Sequence, residues 1–283
     1  MLEGAKVIVV VPALDEAPRI GRVLASMPSF VDHVVVVDDG SADGTAEAAL
    51  AHGDPRVEVV RHARNRGVGA AIASGYRRAL AIPGADRDAF CVMAGDGQMA
   101  PADLARVALP VVRGEAAYAK GDRLSSPASR AKVPWARRVG GLGFSWLTSV
   151  ALGREVTDSQ CGFTALGRAA AAALDLDGLW PRYGYPNDLL GQLVVRDLPF
   201  VAVPVEAVYA GEPSKLRLWH LPLIAFVVGR AASRRARRKN TGHSEGLRAH
   251  QAAATGGGAA ATPSASDQKA PPCLAVSPPG AQP

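Results

Sequence analysis

The chain has 283 residues, of which 48% are hydrophobic and 20% charged, so it is long enough to bury a sizeable core. Its formal charge is +6, and all of this excess lies in residues 230–239, which hold six cations and no acid. This localised charge excludes the broad basic face of a typical nucleic-acid-binding protein and fits an anionic membrane surface better.

The first half of the chain alternates apolar strands with amphipathic helices, a pattern typical of a mostly parallel sheet with helices on both faces. It predicts strands at 6–11, 33–37, 57–61 and 89–93, with helices at 18–27, 41–50, 68–82 and from residue 101 onward. The apolar run that forms the first strand is too short for a signal peptide, and the three cysteines lack C-x-x-C spacing. We therefore expect a cytosolic setting without disulfides.

The second half is less regular. It predicts a short strand at 116–119, a basic loop, helices at 135–152 and 187–195, and a strand at 200–205. We interpret the first half as a nucleotide-binding unit and the second as an acceptor-binding unit within one domain, residues 1–215. Residues 240–283 are rich in Gly, Ala, Pro and Ser without periodicity, which predicts a disordered tail.

Carboxylates follow three of the first four predicted strands. Asp15 and Glu16 follow the first strand, Asp38 and Asp39 the second, and Asp96 the fourth. We expect the second and fourth strands to be neighbours, with these acids at the sheet edge where open α/β folds bind ligands. A nucleotide and a divalent cation are the expected ligands, although a capping turn alone also accounts for Asp38 and Asp39.

Asp96, in the loop Gly95-Asp96-Gly97-Gln98, is the best single candidate for a metal ligand. When a sugar leaves a nucleotide, negative charge develops on the departing diphosphate, and Mg²⁺ or Mn²⁺ bridging carboxylate and phosphate oxygens offsets it. A simple Asp-Gly turn is the alternative.

The glycine-rich loop after the third strand does not predict a dinucleotide site. The G-x-G-x-x-G fingerprint requires glycine where Ile72 stands, and the loop follows the third strand, not the first. Backbone N–H groups of residues 67–70, at a helix start, can still receive an anion.

Five segments, in this order, resemble family 2 glycosyltransferases, and most closely the dolichyl-phosphate mannose synthases and polyprenyl-phosphate sugar transferases. They are Val11-Pro12-Ala13-Leu14-Asp15-Glu16, Val37-Asp38-Asp39-Gly40-Ser41, Asn65-Arg66-Gly67-Val68-Gly69, Gly95-Asp96-Gly97-Gln98 and Asp158-Ser159-Gln160-Cys161-Gly162-Phe163. The resemblance spans residues 5–215. It implies a GT-A fold, a Rossmann-like α/β sheet, with a nucleotide-diphosphate-sugar donor and inversion at the anomeric carbon.

The resemblance also implies roles for individual residues. Those that would bind the nucleotide sugar are Pro12, Asp15, Glu16, Asp38, Asp39, Asn65, Gly67 and Gly69. Asp96 and Gln98 would form the metal and diphosphate loop. The family usually carries Asp-x-Asp in this loop, and Ala94 replaces its first acid. Asp96 would then hold Mg²⁺ or Mn²⁺ largely alone, and an inactive nucleotide-binding regulatory protein is one alternative.

Cations at 123–138 are candidates for binding an acceptor phosphate. We choose Arg123 and Arg137 or Arg138, because arginine binds phosphate bidentately; solvated surface charge is the alternative. An acceptor phosphate is already anionic near pH 7, so it needs no strong general base. Positioning and charge stabilisation would then be the main catalytic contributions.

Five further residues are assigned to the acceptor side. Asp158 and Gln160 lie in the loop that resembles the acceptor-side motif of the family, and Ser214 and Lys215 lie in a segment resembling one that closes over donor or lipid phosphate. Asp188 opens a helix, where helix capping and a base-like catalytic role stay open. Together with Asp96, Asp158 and Asp188 are the predicted catalytic residues.

Residues 216–229 are largely apolar but contain charged and proline residues, so the run is too short to cross a bilayer, which needs about 20 residues. With the cations that follow, the pattern predicts an amphipathic, polybasic segment at 216–239 that binds the inner face of the cell membrane peripherally. A C-terminal helix packed on the core, with a solvated basic end, is the alternative.

The resulting hypothesis is an inverting, metal-dependent glycosyltransferase. It would move a hexose from a GDP-mannose or UDP-glucose type of donor to a polyprenyl or dolichyl phosphate on the cytoplasmic leaflet. The same chemistry on a soluble acceptor is the nearest alternative.

Overall fold

The structure is a computed structural model that describes residues 1–208, 222–223 and 225–236, apart from the side chains at 136 and 137. The predicted disordered tail at 240–283 lies outside the described residues. So do Ser214 and Lys215, residues 216–221, 224 and 237–239 of the segment 216–239, and the side chain of Arg137.

One mixed sheet forms the centre of the fold, and its strand order is β3-β2-β1-β4-β6-β5-β7 in the part of the chain that the structure describes. The strands are β1 (Val7–Ala13), β2 (His33–Asp38), β3 (Val57–Arg61), β4 (Ala89–Val92), β5 (Tyr118–Asp122), β6 (Thr164–Gly167) and β7 (Phe200–Pro204). Strands β1 to β4 pair in parallel, β6 is antiparallel to both β4 and β5, and β7 is parallel to β5.

Helices cover both faces of the sheet. They are α1 (Ala17–Ala25), α2 (Thr45–Ala51), α3 (Val68–Ala81), α4 (Leu104–Val112), α5 (Pro127–Lys132), α6 (Trp135–Leu152), α7 (Arg168–Ala173) and α8 (Tyr185–Val195). Residues 222–223 and 225–236 are helical as well. Successive side chains of a strand point to opposite faces, so Val9 and Val11 join one core with α1 and α4, while Ile8 and Val10 join the other with α3 and α8.

The predicted fold class is confirmed, but some elements differ; helix α7 was not predicted, and the strand predicted at 116–119 is β5 at Tyr118–Asp122. Strands β2 and β4 are not neighbours, because β1 lies between them and pairs with both. Strand β6 was not predicted, since four residues reading TALG are too few to display a period of two. The predicted basic loop contains the short helix α5, whereas α6 has the predicted bounds.

The helix at 225–236 packs against α8. Val227, Val228 and Ala231 are buried, and an added Cβ on Gly191 would lie 2.6 Å from the Ala231 Cβ atom, so glycine is required for this close approach. In the described residues the geometry is that of the packed-helix alternative, and membrane contact by 216–239 stays a prediction. No helix in the described part of the chain is long and apolar enough to span a bilayer.

Candidate active site

A cavity of about 490 Å³ opens at the carboxyl edge of β1, β2 and β4, a size typical of small-molecule sites. The edge lies at the switch point of the sheet, where the chain order reverses between β1 and β4. The predicted site residues that line the cavity are Pro12, Glu16, Asp39, Asn65, Gly67, Asp96, Gln98, Arg123 and Gln160. The predicted residues that do not line it are Asp15, Asp38, Gly69, Arg138, Asp158 and Asp188.

Asp39 holds the loop that begins α3. Its Oδ1 atom accepts a hydrogen bond from the Arg66 backbone N–H (2.9 Å) and lies 2.7 Å from Nδ1 of His62, while Oδ2 accepts from the Gly67 N–H (2.7 Å). The other ring nitrogen of His62 lies 3.0 Å from the Ser74 hydroxyl. Asp39 therefore lies in the cavity wall and also positions the neighbouring part of that wall; its contact with a nucleoside stays a prediction.

Two further acids, Asp38 at the end of β2 and Asp15 after β1, hold their loops together and do not line the cavity. Asp38 is buried, accepts from the Ser41 N–H (2.9 Å) and lies 3.4 Å from Nε of Arg61, which matches the capping-turn alternative. Asp15 has a φ of +54° and accepts from the Ala42 N–H (3.1 Å). Their geometry favours a role in positioning the β1 and β2 loops.

Glu16 is buried at the cavity, and its Oε2 atom pairs with Nη1 of Arg19 at 2.8 Å. Its backbone N–H donates to the Thr45 hydroxyl at 2.8 Å. Arg19, which sequence reasoning did not single out, also lines the cavity. The pair therefore places the Arg19 guanidinium on the side of the cavity where the strand-end acids contribute negative charge.

The start of α3 is already partly occupied by protein acceptors. The Gly67 N–H donates to Asp39, and the Ala70 N–H donates to the Pro181 carbonyl at 3.0 Å. Gly67 has a φ of +100°, and Gly69 leaves space for the Trp180 carbonyl, which an added Cβ would overlap. Two of the N–H groups expected to receive an anion are thus bonded to acceptors within the protein. Gly69 permits close packing of the segment Trp180–Pro181 on the start of α3.

Asp96 lies in the cavity wall as part of a tight turn. Its Oδ1 atom accepts from the Gln98 N–H at 3.0 Å, and Gly97 between them has a φ of +76°. Among the described residues no group of three or more His, Cys, Asp or Glu side chains forms a metal site by itself. Mg²⁺ is commonly held by one or two carboxylates together with substrate phosphates and water. A single carboxylate facing a cavity therefore fits a cation shared with a diphosphate.

On the acceptor side Arg123 has a protein partner. Its Nε atom lies 2.7 Å from Oδ2 of Asp158 and its Nη2 atom 2.9 Å from Oδ1, a bidentate pair. Burial opposes ionisation of Asp158, but the hydrogen bonds and charge of Arg123 outweigh it and lower the pKa of that carboxyl. Nearby, burial lowers the pKa of Lys120, whose ammonium donates to the Cys161 carbonyl. Asp158 does not line the cavity itself and therefore positions the guanidinium of Arg123, which does.

Asp188 is fully buried and paired with the C-terminal helix. Its Oδ1 atom accepts from Nη1 of Arg234 (2.7 Å) and lies 3.5 Å from Nε of Arg230, while Oδ2 accepts from the Trp180 N–H (3.0 Å). Three elements meet at this carboxylate: α8, the segment before it, and the helix at 225–236. The geometry favours a positioning role over the predicted base-like role.

Several cavity residues gave no signal in the sequence. Arg182, Tyr183 and Tyr185 come from the irregular segment before α8 and its first turn, and Met99 and Glu206 also line the cavity. Arg182, Tyr183 and Tyr185 follow no predicted strand and belong to none of the recognised motifs, whereas Met99 directly follows the Gly95–Gln98 loop and Glu206 the last predicted strand. Arg182, Tyr183 and Tyr185 reach the cavity because the segment 180–185 folds back over the start of α3.

A mostly parallel sheet with a small-molecule cavity at its switch point and an acidic turn after β4 defines a ligand-binding α/β protein. The family model described as Glycosyl transferase family 2 matches residues 8–174, more than half of the chain. The chain belongs to this family, and it is a glycosyltransferase with the GT-A fold.

Similar proteins differ in the acceptors that their names state. The chain is 28% identical over 218 residues to UDP-N-acetylglucosamine--dolichyl-phosphate N-acetylglucosaminyltransferase of Methanococcus voltae, covering 72% of this chain and 86% of that protein. It is 30% identical over 212 residues to polyprenol monophosphomannose synthase of Mycolicibacterium smegmatis, covering 71% and 76%. Glucosyl-3-phosphoglycerate synthase of Mycobacterium tuberculosis, solved with Mn²⁺, UDP and glucosyl-3-phosphoglycerate, has a TM-score of 0.60 at 23% identity, covering 82% and 80%. This last similarity concerns the fold.

Proposed function

We propose that the protein transfers a hexose or related sugar, with inversion, from a nucleotide-diphosphate sugar to a polyprenyl phosphate at the inner face of the cell membrane. The observation that carries this proposal is the cavity at the carboxyl edge, with the Asp96 turn in its wall. The relatives with 28% and 30% identity, whose names state dolichyl phosphate and a polyprenol monophosphate sugar, support the lipid-phosphate acceptor.

The donor side of the cavity is built from the first half of the chain. Pro12, Asp39, Asn65 and Gly67 would surround the nucleoside, and Asp96, with the adjacent Gln98, would hold Mg²⁺ or Mn²⁺. The bound cation would offset the negative charge that develops on the leaving diphosphate. The structural neighbour solved with Mn²⁺ and UDP supports this kind of donor site.

The buried acids of the second half support an acceptor that is itself a phosphate. Asp158 and Asp188 are both buried and both paired with arginines, so neither is placed to remove a proton from an acceptor hydroxyl. A phosphate oxygen is ionised near pH 7 and needs no such base. In this proposal Asp158 and Asp188 are positioning residues, and holding the phosphate in line with the anomeric carbon is the main contribution of the acceptor side.

The test is a transfer assay with the purified full chain. The protein is incubated with Mn²⁺ or Mg²⁺, with UDP-glucose, UDP-N-acetylglucosamine or GDP-mannose, and with undecaprenyl phosphate or 3-phosphoglycerate. We expect a sugar-lipid product that requires the metal. A product formed only with phosphoglycerate contradicts the lipid acceptor, and nucleotide binding without any transfer indicates the regulatory alternative.

The Asp96→Asn variant tests the metal role. Loss of its charge should lower kcat at least about 100-fold, the scale on which removal of one electrostatic catalytic group acts. Asp86→Asn is the matched control, because Asp86 is exposed in the loop before β4, at the opposite end of that strand. Thermal melting should give similar midpoints for both variants. Wild-type turnover by Asp96→Asn would contradict the assignment.

A further inference from the structure

Helix α6 carries an exposed apolar stripe. Its five members are 53% to 73% exposed, and they are Trp135, Val139, Leu142, Trp146 and Val150. At 100° per residue they fall within an arc of about 80°, and they extend over about 22 Å of helix. A contiguous row of this size, with two tryptophans, differs from the singly scattered apolar residues of an ordinary protein surface.

The opposite face of α6 is polar and buried, which is the reverse of a normal surface helix. Ser145 is buried, and its hydroxyl accepts from the Ser159 N–H at 2.9 Å. Thr148 is buried too, with its hydroxyl 2.7 Å from the Phe144 carbonyl and 3.2 Å from the Asn187 side-chain oxygen. The core thus holds this face of α6 through hydroxyl groups, together with the buried Leu152 in its last turn, and leaves the five residues of the stripe outside.

The segment around α6 is strongly basic. Residues 123–154 contain six cations and no acid, and these cations are Arg123, Arg130, Lys132, Arg137, Arg138 and Arg154. Arg130 and Lys132 are exposed in the last turn of α5, next to the tryptophan that begins the stripe. Tryptophan and basic residues beside an apolar helix face are typical of helices that lie in a membrane interface.

Helix α6 itself packs against the segment that forms one wall of the cavity. Ser145, on the buried face of α6, holds Ser159, and the following residues Gln160, Cys161 and Gly162 line the cavity wall. At the other end, Lys132 of α5 pairs with Glu206, which lines the cavity too. Helices α5 and α6 therefore both contact residues on or next to the acceptor side of the cavity wall.

We propose that the α6 stripe inserts into the interface of an anionic lipid bilayer and brings the acceptor side of the cavity to that surface. The charge of the segment decides between this occupant and a second copy of the chain, since two copies would bring two sets of cations together, whereas anionic headgroups neutralise them. The inference rests on the proposed function, because a lipid-phosphate acceptor is the reason for membrane binding. Lipid binding itself is measured without sugar transfer.

The test is flotation of the full chain with vesicles of phosphatidylcholine alone or mixed with phosphatidylglycerol. We expect the wild type to float with the anionic vesicles, and the Trp135→Ser/Trp146→Ser double variant to bind at least about tenfold more weakly. The control is Leu50→Ser, because Leu50 is a 63% exposed apolar residue on α2, and its variant should float as the wild type does. Undiminished flotation of the double variant overturns the proposal.

Two further measurements separate the possible failures. Sedimentation velocity without lipid that gives a dimer for the wild type and a monomer for the double variant overturns the proposal in favour of a second copy. In the transfer assay, the double variant should keep its rate with a short, water-soluble polyprenyl phosphate and lose it with the vesicle-bound acceptor. Flotation without any sugar transfer would contradict the proposed function and leave the lipid contact standing.

Discussion

Two helices that pack on α8 show how similar basic segments reach opposite arrangements. The helix at 225–236 belongs to a segment with six cations and no acid, as does α6, yet it buries Val227 and Ala231 and pairs Arg234 with Asp188. Helix α6 buries the hydroxyl groups of Ser145 and Thr148 and exposes the five residues of its apolar stripe. The difference lies in what α8 and the neighbouring loop offer: a carboxylate in one case, an amide side chain and backbone donors in the other.

The comparison shows that a run of cations does not by itself locate a membrane surface. Three cations of the C-terminal helix make intramolecular contacts, because Arg230 and Arg234 reach Asp188 and Arg235 donates to the Ala151 carbonyl. Those charges stabilise the fold. The C-terminal helix exposes one large apolar residue, Phe226, whereas a contiguous exposed row lies on α6.

The largest effect should follow from breaking the contact at Asp188. Asp188→Ala leaves two partly buried guanidinium groups and the Trp180 N–H without their acceptor, so it should lower the free energy of unfolding by about 3 to 5 kcal/mol. Urea titration measures this loss. As control, Asp177→Ala removes an exposed carboxylate paired with Arg77 and should leave the midpoint nearly unchanged. Equal effects of the two variants would contradict the role of Asp188 in holding the C-terminal helix against α8.

The Asp158–Arg123 pair should produce the next largest effect, together with a pH dependence. Asp158→Asn removes two charge-assisted hydrogen bonds and should cost roughly 2 kcal/mol at neutral pH. Because folding lowers the pKa of Asp158 below its ordinary 3.8, its contribution is fully present above that value and is lost as the pH falls through the folded-state pKa. Melting from pH 6 to 2 should show a shallower acid decline in Asp158→Asn than in the wild type.

The hydroxyl face of α6 gives a smaller prediction. Ser145→Ala leaves the buried Ser159 N–H without its acceptor and should cost about 1 kcal/mol or slightly more. Because Ser159 precedes the cavity wall, KM for the acceptor should rise more than KM for the donor. Ser233→Ala, which removes an exposed hydroxyl bonded within its own helix, serves as the control. A stability gain in Ser145→Ala would contradict the stabilising role of the hydrogen bonds on the buried face of α6.

The smallest effect on stability is expected at the outer face of α6. Trp146→Ser removes a large but exposed side chain, so the free energy of unfolding should change by no more than about 0.5 kcal/mol. Urea titration of this variant sharpens the comparison with Asp188→Ala. A large loss would mean that the tryptophan packs within the protein, contrary to its exposure.

Much of the donor half could be predicted because its signals are local. Apolar runs that stop at Asp38 or shortly before Asp96 specify both a strand and the edge at which it stops. The acceptor half was less predictable: β6 is four residues long, and Arg182 and Tyr183 reach the cavity only through the packing of the segment 178–184 on α3. Asp188 illustrates the limit, because its partner Arg234 is 46 residues away.

The sequence alone determined the α/β class, the edge that carries the acids, and the bounds of α6, since each depends on periodicity or on a local stop. The tertiary structure alone decided that β1 separates β2 from β4, that Asp38 and Asp188 are buried in contacts behind the cavity, and which side of α6 faces outward. The last point has a clear physical reason. Helix α6 has both an apolar and a hydroxyl face, and the hydroxyl face is buried because Ser159 and Asn187 supply the partners that make its burial favourable.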